Sequence, residues 1–210
     1  MSKQNIEMEE YVLAFPIKLL DSLGYFQGLN YDIQDYLKEI LTHQNYSFIK
    51  RKDAEINPNY KQLIPYAILF HNNKIFIYQR GKLLAEKRLL ENYSIGIGGH
   101  ITTYDSTFFN QTYDDGFKRE LNEEIDIDSK YENKIVALIN DDSNDVGRVH
   151  FGVVHLLSLE NPNVTVKEKS IKKPSFLTIE EIMNKYNELE NWSKICLNNI
   201  EDIIKLYNQS

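Results

Sequence analysis

Apolar positions recur along this chain with two different periods, and the switches between them lay out its elements. Residues 9–15 read as an extended strand that stops at Pro16, and Pro16 opens a short helix, IKLLDSL, closed by Gly24. Ile33, Tyr36, Leu37, Ile40 and Leu41 fall at i, i+3, i+4, i+7 and i+8, the stripe of a second helix with Asp32 as its N-cap. Residues 46–56 read as short mixed strands. From Leu63 to Phe70 the run is apolar, Asn72-Asn73 predicts a hairpin turn, and IFIYQ alternates behind Lys74. Pro65 suggests that the first of these strands begins at a sheet edge. Lys134–Asn140 and Arg148–Leu159 predict two further strands around the polar, turn-rich DDSNDVG, and residues 164–169 a third. Thr178 and Glu181 form a capping box that starts a helix. Ile195, Cys196, Ile200, Ile203 and Ile204 predict a last helix from about Trp192 to Leu206.

Strands, an acidic helix, more strands and terminal helices suit an α+β domain in which helices cover a mixed sheet. The helices before residue 60 predict an N-terminal helical extension, 1–60, packed on a core of 61–210. No internal repeat, low-complexity tract or linker forces any other division.

The net charge of −7, from 24 basic and 31 acidic residues, excludes a nucleic-acid polymer as the expected partner, since that needs a basic footprint. An anionic substrate must instead be met by a metal and a few local cations. The single cysteine, Cys196, lies in an apolar helical pattern and reads as a buried, inert thiol. No apolar run reaches membrane-spanning length, and MSKQNIEMEE is unlike a signal peptide, so the expected location is cytoplasmic, away from membranes.

The chemistry concentrates between Ser94 and Asp128. A glycine turn, Gly96-Ile97-Gly98-Gly99, is followed by a polar loop and then by Arg119-Glu120-Leu121-Asn122-Glu123-Glu124. On a helix Glu120, Glu123 and Glu124 share one arc, while Phe117, Leu121 and Ile125 share the next and can be buried. Three carboxylates on one face repel each other, and a hard divalent cation such as Mg²⁺ resolves the repulsion. Gly98-Gly99 lets the backbone approach a ligand. Taken separately, a solvated acidic face and a plain tight turn are the structural alternatives.

Together the two halves resemble the Nudix box, G-x5-E-x7-R-E-U-x-E-E-x-G-U with U aliphatic: R-E-L-N-E-E matches its tail position for position. QLIPYAILF, IFIYQRGK, EKRL, SIGIGGHI and INDDSNDVGRVHFGVVH extend the resemblance, over most of the chain, to a predicted-phosphoesterase branch of the Nudix superfamily. It implies an α/β/α sandwich whose box forms a loop-helix-loop. It also implies a Mg²⁺- or Mn²⁺-dependent hydrolase of a diphosphate linkage in a nucleoside diphosphate derivative or another small phosphorylated substrate. In that reading Glu123 and Glu124 ligate the metal, Glu120 does so directly or through water, Gly99 offers its carbonyl, and Arg119 orients Glu120 or Glu123. Superfamily members often dimerise, which raises a homodimer through the N-terminal part. A Nudix-like module that binds a nucleotide or sugar phosphate without cleaving it is the alternative.

Two departures stand out. Arg119 lies twenty positions after Gly99, about six more than in the general box, and the isolated box glutamate, counted back from Arg119, falls on Gln111. Asp114 or Asp115 is then the expected partner of Arg119. The late box glycine is Asp126, followed by the aliphatic Ile127.

For the substrate phosphates, Arg88 is the first clamp candidate because a guanidinium fork suits phosphate oxygens, Arg80 is the second, and His100 can donate a hydrogen bond or move a proton. Glu120, Glu160 and Glu168 are candidate general bases. His150 and His155, five apart in one strand, face opposite ways. No His/Cys cluster has ligand spacing, which disfavours a zinc enzyme, and neither G-x-S-x-G nor a P-loop occurs.

Overall fold

A computed structural model describes residues 10–81, 91–105 and 112–209. The first elements are β1 (Tyr11–Pro16), α1 (Lys18–Leu23), β2 (Gly28–Asn30), α2 (Ile33–Ile40), β3 (Ser47–Lys50) and α3 (Arg51–Ala54). Next come β4 (Tyr60–His71), β5 (Lys74–Arg80), β6 (Tyr93–Ser94) and β7 (Gly96–Gly98). The acidic helix is α4 (Thr112–Glu124), followed by β8 (Ile125–Ile127), β9 (Tyr131–Asn140), β10 (His150–Leu159) and β11 (Val164–Val166). The chain ends with β12 (Ile171–Thr178), α5 (Ile179–Met183), α6 (Asn191–Asn198) and α7 (Ile200–Gln209). The fold is α+β, with helices and a mixed sheet.

The chain forms two compact units, and β4, β9 and β10 each contribute residues to both. One comprises the described parts of Met1–Pro65, Gly99–Glu120 and Ala137–Val153. Its strands follow the order β4-β10-β9-β2, with β1 paired to both β4 and β3. Val12, Leu13, Ala14, Phe15, Leu20 and Ile40 are buried. Phe151 meets Phe15 and Phe26 edge-on at 5.3 and 5.8 Å. Lys61 is wholly buried, which lowers its pKa, and it donates to Asp142 and to Gly147 O (2.7 Å). Residues 1–60, read from sequence as a helical extension, thus carry paired strands beside their helices. Asp32 does occupy the N-cap of α2, but its side chain makes no capping bond, and its amide donates to Asn30 Oδ1 (2.7 Å).

The other unit comprises Tyr66–Gly98, Leu121–Val136 and Val154–Ser210, in their described parts. Here β5 lies between β12 and β4, β6 pairs with β5, β7 with β4, and β8 with β11. The predicted hairpin is present: Asn72 and Asn73 take φ of 45° and 63°, the twist a two-residue hairpin turn requires, and Phe70 faces Ile75. The capping box is present too, with Glu181 N donating to Thr178 Oγ1 (3.2 Å) and Thr178 N to Glu181 Oε2 (2.8 Å). Glu190 is buried and receives Arg80, Tyr66 and Ser94.

Residues 46–56, read as short mixed strands, hold β3 and the helix α3. Two further expectations change. Pro65 lies inside β4, between the stretch paired with β1 (Tyr60–Gln62) and that paired with β7 (Tyr66–Ile68), where a missing amide is tolerated. The single terminal helix is two, α6 and α7, broken at Asn199, whose amide turns back to Cys196 O (3.1 Å).

Candidate functional site

Helix α4 forms because Tyr113, Phe117 and Leu121, spaced by four, bury one stripe while Asp114, Lys118 and Asn122 stay exposed. Gly116 lets the turn at Thr103–Asp105 close on the helix: a β-carbon there would lie 2.6 Å from Ile101 Cδ1 and 2.9 Å from Asp105 Oδ2. That approach sets the first contact of the site. Arg119 Nε donates to Asp105 Oδ1 (2.7 Å) and Nη2 to Asp105 Oδ2 (2.8 Å). Nη1 reaches Glu120 Oε1 (2.9 Å), and Nη2 also reaches His100 O (2.9 Å). Asp105 is 4% exposed and accepts the Thr102 amide as well (2.8 Å). Asp105 first, and Glu120 with it, raise the Arg119 pKa, so the guanidinium stays charged.

The expected partners Asp114 and Asp115 are therefore replaced by Asp105. Counted forward from Gly99, Asp105 stands where the box has its isolated acid. The six added positions thus fall after the acid, between Asp105 and Thr112. Gln111 lies outside the described residues.

The glycine turn and the first helix carboxylate meet directly. A β-carbon on Gly99 would lie 2.1 Å from Glu120 Oε2 and 2.2 Å from its Cδ, so glycine at 99 is what admits the carboxylate. Glu123 and Glu124 follow on the last turn of α4, the first exposed and the second half-buried. The end of that helix is fixed by antiparallel pairing of β8 with β11, Ile125 facing Val166. Past β11, Lys167 N (2.9 Å) and Glu168 N (3.2 Å) donate to Glu124 O, and Lys167 Nζ donates to Asn122 O. Glu168 thereby sits beside Glu124, half-buried. Glu160 is exposed at the far end of the same ribbon, its amide on Lys130 O (3.0 Å). The two candidate bases thus lie at opposite ends of one ribbon.

The phosphate candidates fare differently. Arg88 lies outside the described residues. Arg80 Nε donates to Glu190 Oε2 (2.6 Å) and Nη2 to Glu190 Oε1 (3.3 Å), so its fork is occupied by a buried carboxylate. His100 turns its ring toward His150, 5.5 Å between centroids, and toward Glu55. Burial, then the nearby charges of Arg51, His150 and Arg119, hold its pKa well below the ordinary histidine value. His155 lies apart from that group, bonded through Nδ1 to Asn133 Oδ1 (3.0 Å) and lowered by burial to about 3. Cys196 is buried and its pKa is raised by burial, as an inert thiol requires. Among the described residues no helix is long and apolar enough to cross a membrane.

Gly99, Glu120, Arg119 and Asp105 are thus brought together, whereas Glu123 and Glu124 join no group of three ligating side chains among the described residues. Carboxylate and carbonyl oxygens are the donor types that a hard divalent cation takes. No family model matches the chain. It is 34% identical to the protein YmaB of Bacillus subtilis (strain 168) over 206 residues, 93% of this chain and 99% of that one. Among solved structures it is similar to Tm1382, a candidate Nudix hydrolase, with a TM-score of 0.76 and 30% identity over 91% of this chain and 98% of that one. The Nudix domain of NrtR from Shewanella oneidensis, solved with ADP ribose, shares the fold: TM-score 0.52, 16% identity, 69% of this chain and 87% of that one. Likeness at this identity over nearly the whole length of Tm1382 means that the chain belongs to the Nudix hydrolase superfamily.

Proposed function

We propose that the protein hydrolyses a diphosphate linkage in a small phosphorylated substrate, a nucleoside diphosphate derivative, with Mg²⁺ or Mn²⁺ as cofactor. The observation that carries the proposal is the Glu120 carboxylate lying against Gly99 while Arg119, anchored on Asp105, holds the same carboxylate from the side. ADP ribose in the NrtR Nudix domain supports the substrate class.

The donor set fits the cation. Carboxylates of Glu120, Glu123 and Glu124 with the Gly99 carbonyl are the hard oxygens that Mg²⁺ takes, and the bare α-carbon of Gly99 leaves the carboxylate its place. When bound, such an ion supplies charge neutralisation at phosphate oxygens and a more acidic attacking water. The chain's own residues do the rest. Asp105 fixes Arg119, and Arg119 orients Glu120. Glu168, beside Glu124, is our choice of general base. Arg88 remains the proposed phosphate clamp, and Arg80 supports the fold through Glu190. A cytoplasmic setting and a homodimer complete the proposal, the latter read by light scattering.

Hydrolysis of nucleoside diphosphate derivatives, sugar nucleotides and dinucleoside polyphosphates with Mg²⁺ or Mn²⁺ tests the reading. Glu123→Gln should lower turnover by about a hundredfold or more while the fold persists. Wild-type turnover in that variant overturns the site. Tight ligand binding without product by the wild type favours the non-catalytic module.

A further inference from the structure

Glu55, His100 and His150 are far apart in sequence, yet they converge in one unit of the fold. Glu55 follows α3, His100 follows the glycine turn, and His150 opens β10. Their ligand atoms all lie within 4.8 Å of one another. Glu55 Oε1 is 3.8 Å from His100 Nε2 and 3.7 Å from His150 Nε2.

The tautomers favour coordination. His150 Nδ1 is 2.7 Å from Val146 O, and a carbonyl only accepts, so Nδ1 carries a proton and Nε2 is the ring nitrogen that faces Glu55. A ligating histidine is typically held in this way, its other ring nitrogen donating to a carbonyl. His100 Nε2 is buried with no hydrogen-bond partner among the described residues, a vacancy that costs about 1–3 kcal/mol unless something fills it.

Distance and charge allow it. Tetrahedral zinc with ligands at roughly 2.0–2.1 Å sets its donors about 3.4 Å apart, and the two Glu55–histidine separations exceed that by less than about half an ångström. Arg51 competes for the carboxylate, with Nε 3.9 Å from Glu55 Oε1. Its Nη1 already reaches Glu10 Oε2 at 3.4 Å, so Arg51 keeps a partner when Glu55 turns to a cation.

We infer that Glu55, His100 and His150 bind a divalent transition-metal ion of the zinc class, with a coordination position left for water or a substrate oxygen. Two imidazole nitrogens and one carboxylate select zinc, cobalt or iron over Mg²⁺, which takes oxygens. The site is thus chemically distinct from the carboxylate-and-carbonyl set on α4. It would tie the end of α3, the residue after Gly99 and the start of β10 to one ion.

Calorimetric titration of the chelator-treated full chain with Zn²⁺, and the visible spectrum of its Co²⁺ form, test the inference. Zn²⁺ should bind one per chain to the wild type and to the double variant Glu123→Gln/Glu124→Gln, which removes the other site. Glu55→Gln and His100→Gln should each weaken it about tenfold or more and lose the Co²⁺ bands of a nitrogen-containing site. Glu55→Gln, at a half-buried position, guards against a variant that merely fails to fold, with circular dichroism as the check. Zn²⁺ affinity unchanged in Glu55→Gln and His100→Gln overturns the inference. So does binding lost in the α4 double variant but kept in Glu55→Gln, or no binding by the wild type.

Discussion

Asp105 and Arg119 are joined by a two-point ion pair, Nε to Oδ1 at 2.7 Å and Nη2 to Oδ2 at 2.8 Å. Two parallel bonds fix the plane of the guanidinium as well as its position, and its remaining edge is then aimed at Glu120 and His100 O. Asp105 thereby holds the first carboxylate of the site in place through Arg119.

Asp105→Asn should therefore act on both stability and turnover. Removing the anion that Arg119 holds at two points costs about 2–4 kcal/mol, at or below the range for breaking a buried pair because Arg119 is partly exposed and keeps Glu120. Asp114→Asn and Asp115→Asn should stay within about 0.5 kcal/mol. Urea denaturation of the three variants is the check, and equal effects would mean that the pair is not the anchor.

Gly99→Ala tests the contact with Glu120 alone. Gly99 is not among the glycines with positive φ, so its backbone accepts alanine. The added β-carbon would displace a carboxylate oxygen now 2.1 Å from that point. Mn²⁺ affinity, read by electron paramagnetic resonance, should fall about tenfold, with little change in melting temperature.

Glu168→Gln and Glu160→Gln separate the two distal bases. Glu168 lies against the end of α4 and Glu160 at the other end of the ribbon. The first substitution should lower kcat by about a hundredfold or more and remove the basic limb of its pH profile, while the second leaves kcat unchanged. The reverse order would move the base away from Glu124.

His155 predicts acid sensitivity. Burial lowers it from 6.5 to about 3, so the folded chain refuses a proton that the unfolded chain takes up below pH 6.5. Its contribution is complete above pH 6.5 and is lost as pH falls toward 3, by at most about 1.4 kcal/mol per pH unit. Denaturation midpoints between about pH 7 and about pH 4.5 should change less in His155→Gln than in the wild type.

Local signals in the sequence translated well. Asn72-Asn73, the Thr178–Glu181 box and the stripe of α4 each depend on neighbours within a turn or two. Asp105 is hidden from a count back from Arg119, which crosses the added residues and lands on Gln111, whereas the box spacing forward from Gly99 lands on it. The helix break at Asn199 left no trace, since the apolar period runs on through it. Arg80 looked available because its partner, Glu190, is 110 residues away. The Glu55–His100–His150 group was invisible for the same reason, as ligand spacing detects only clusters that are close along the chain.

Asp105 and Thr112, the described residues on either side of the added positions, are both buried. Because Arg119 takes its anchor from Asp105, six residues after Gly99, the grip on the neighbouring carboxylate keeps the spacing of the general box and does not count the added positions.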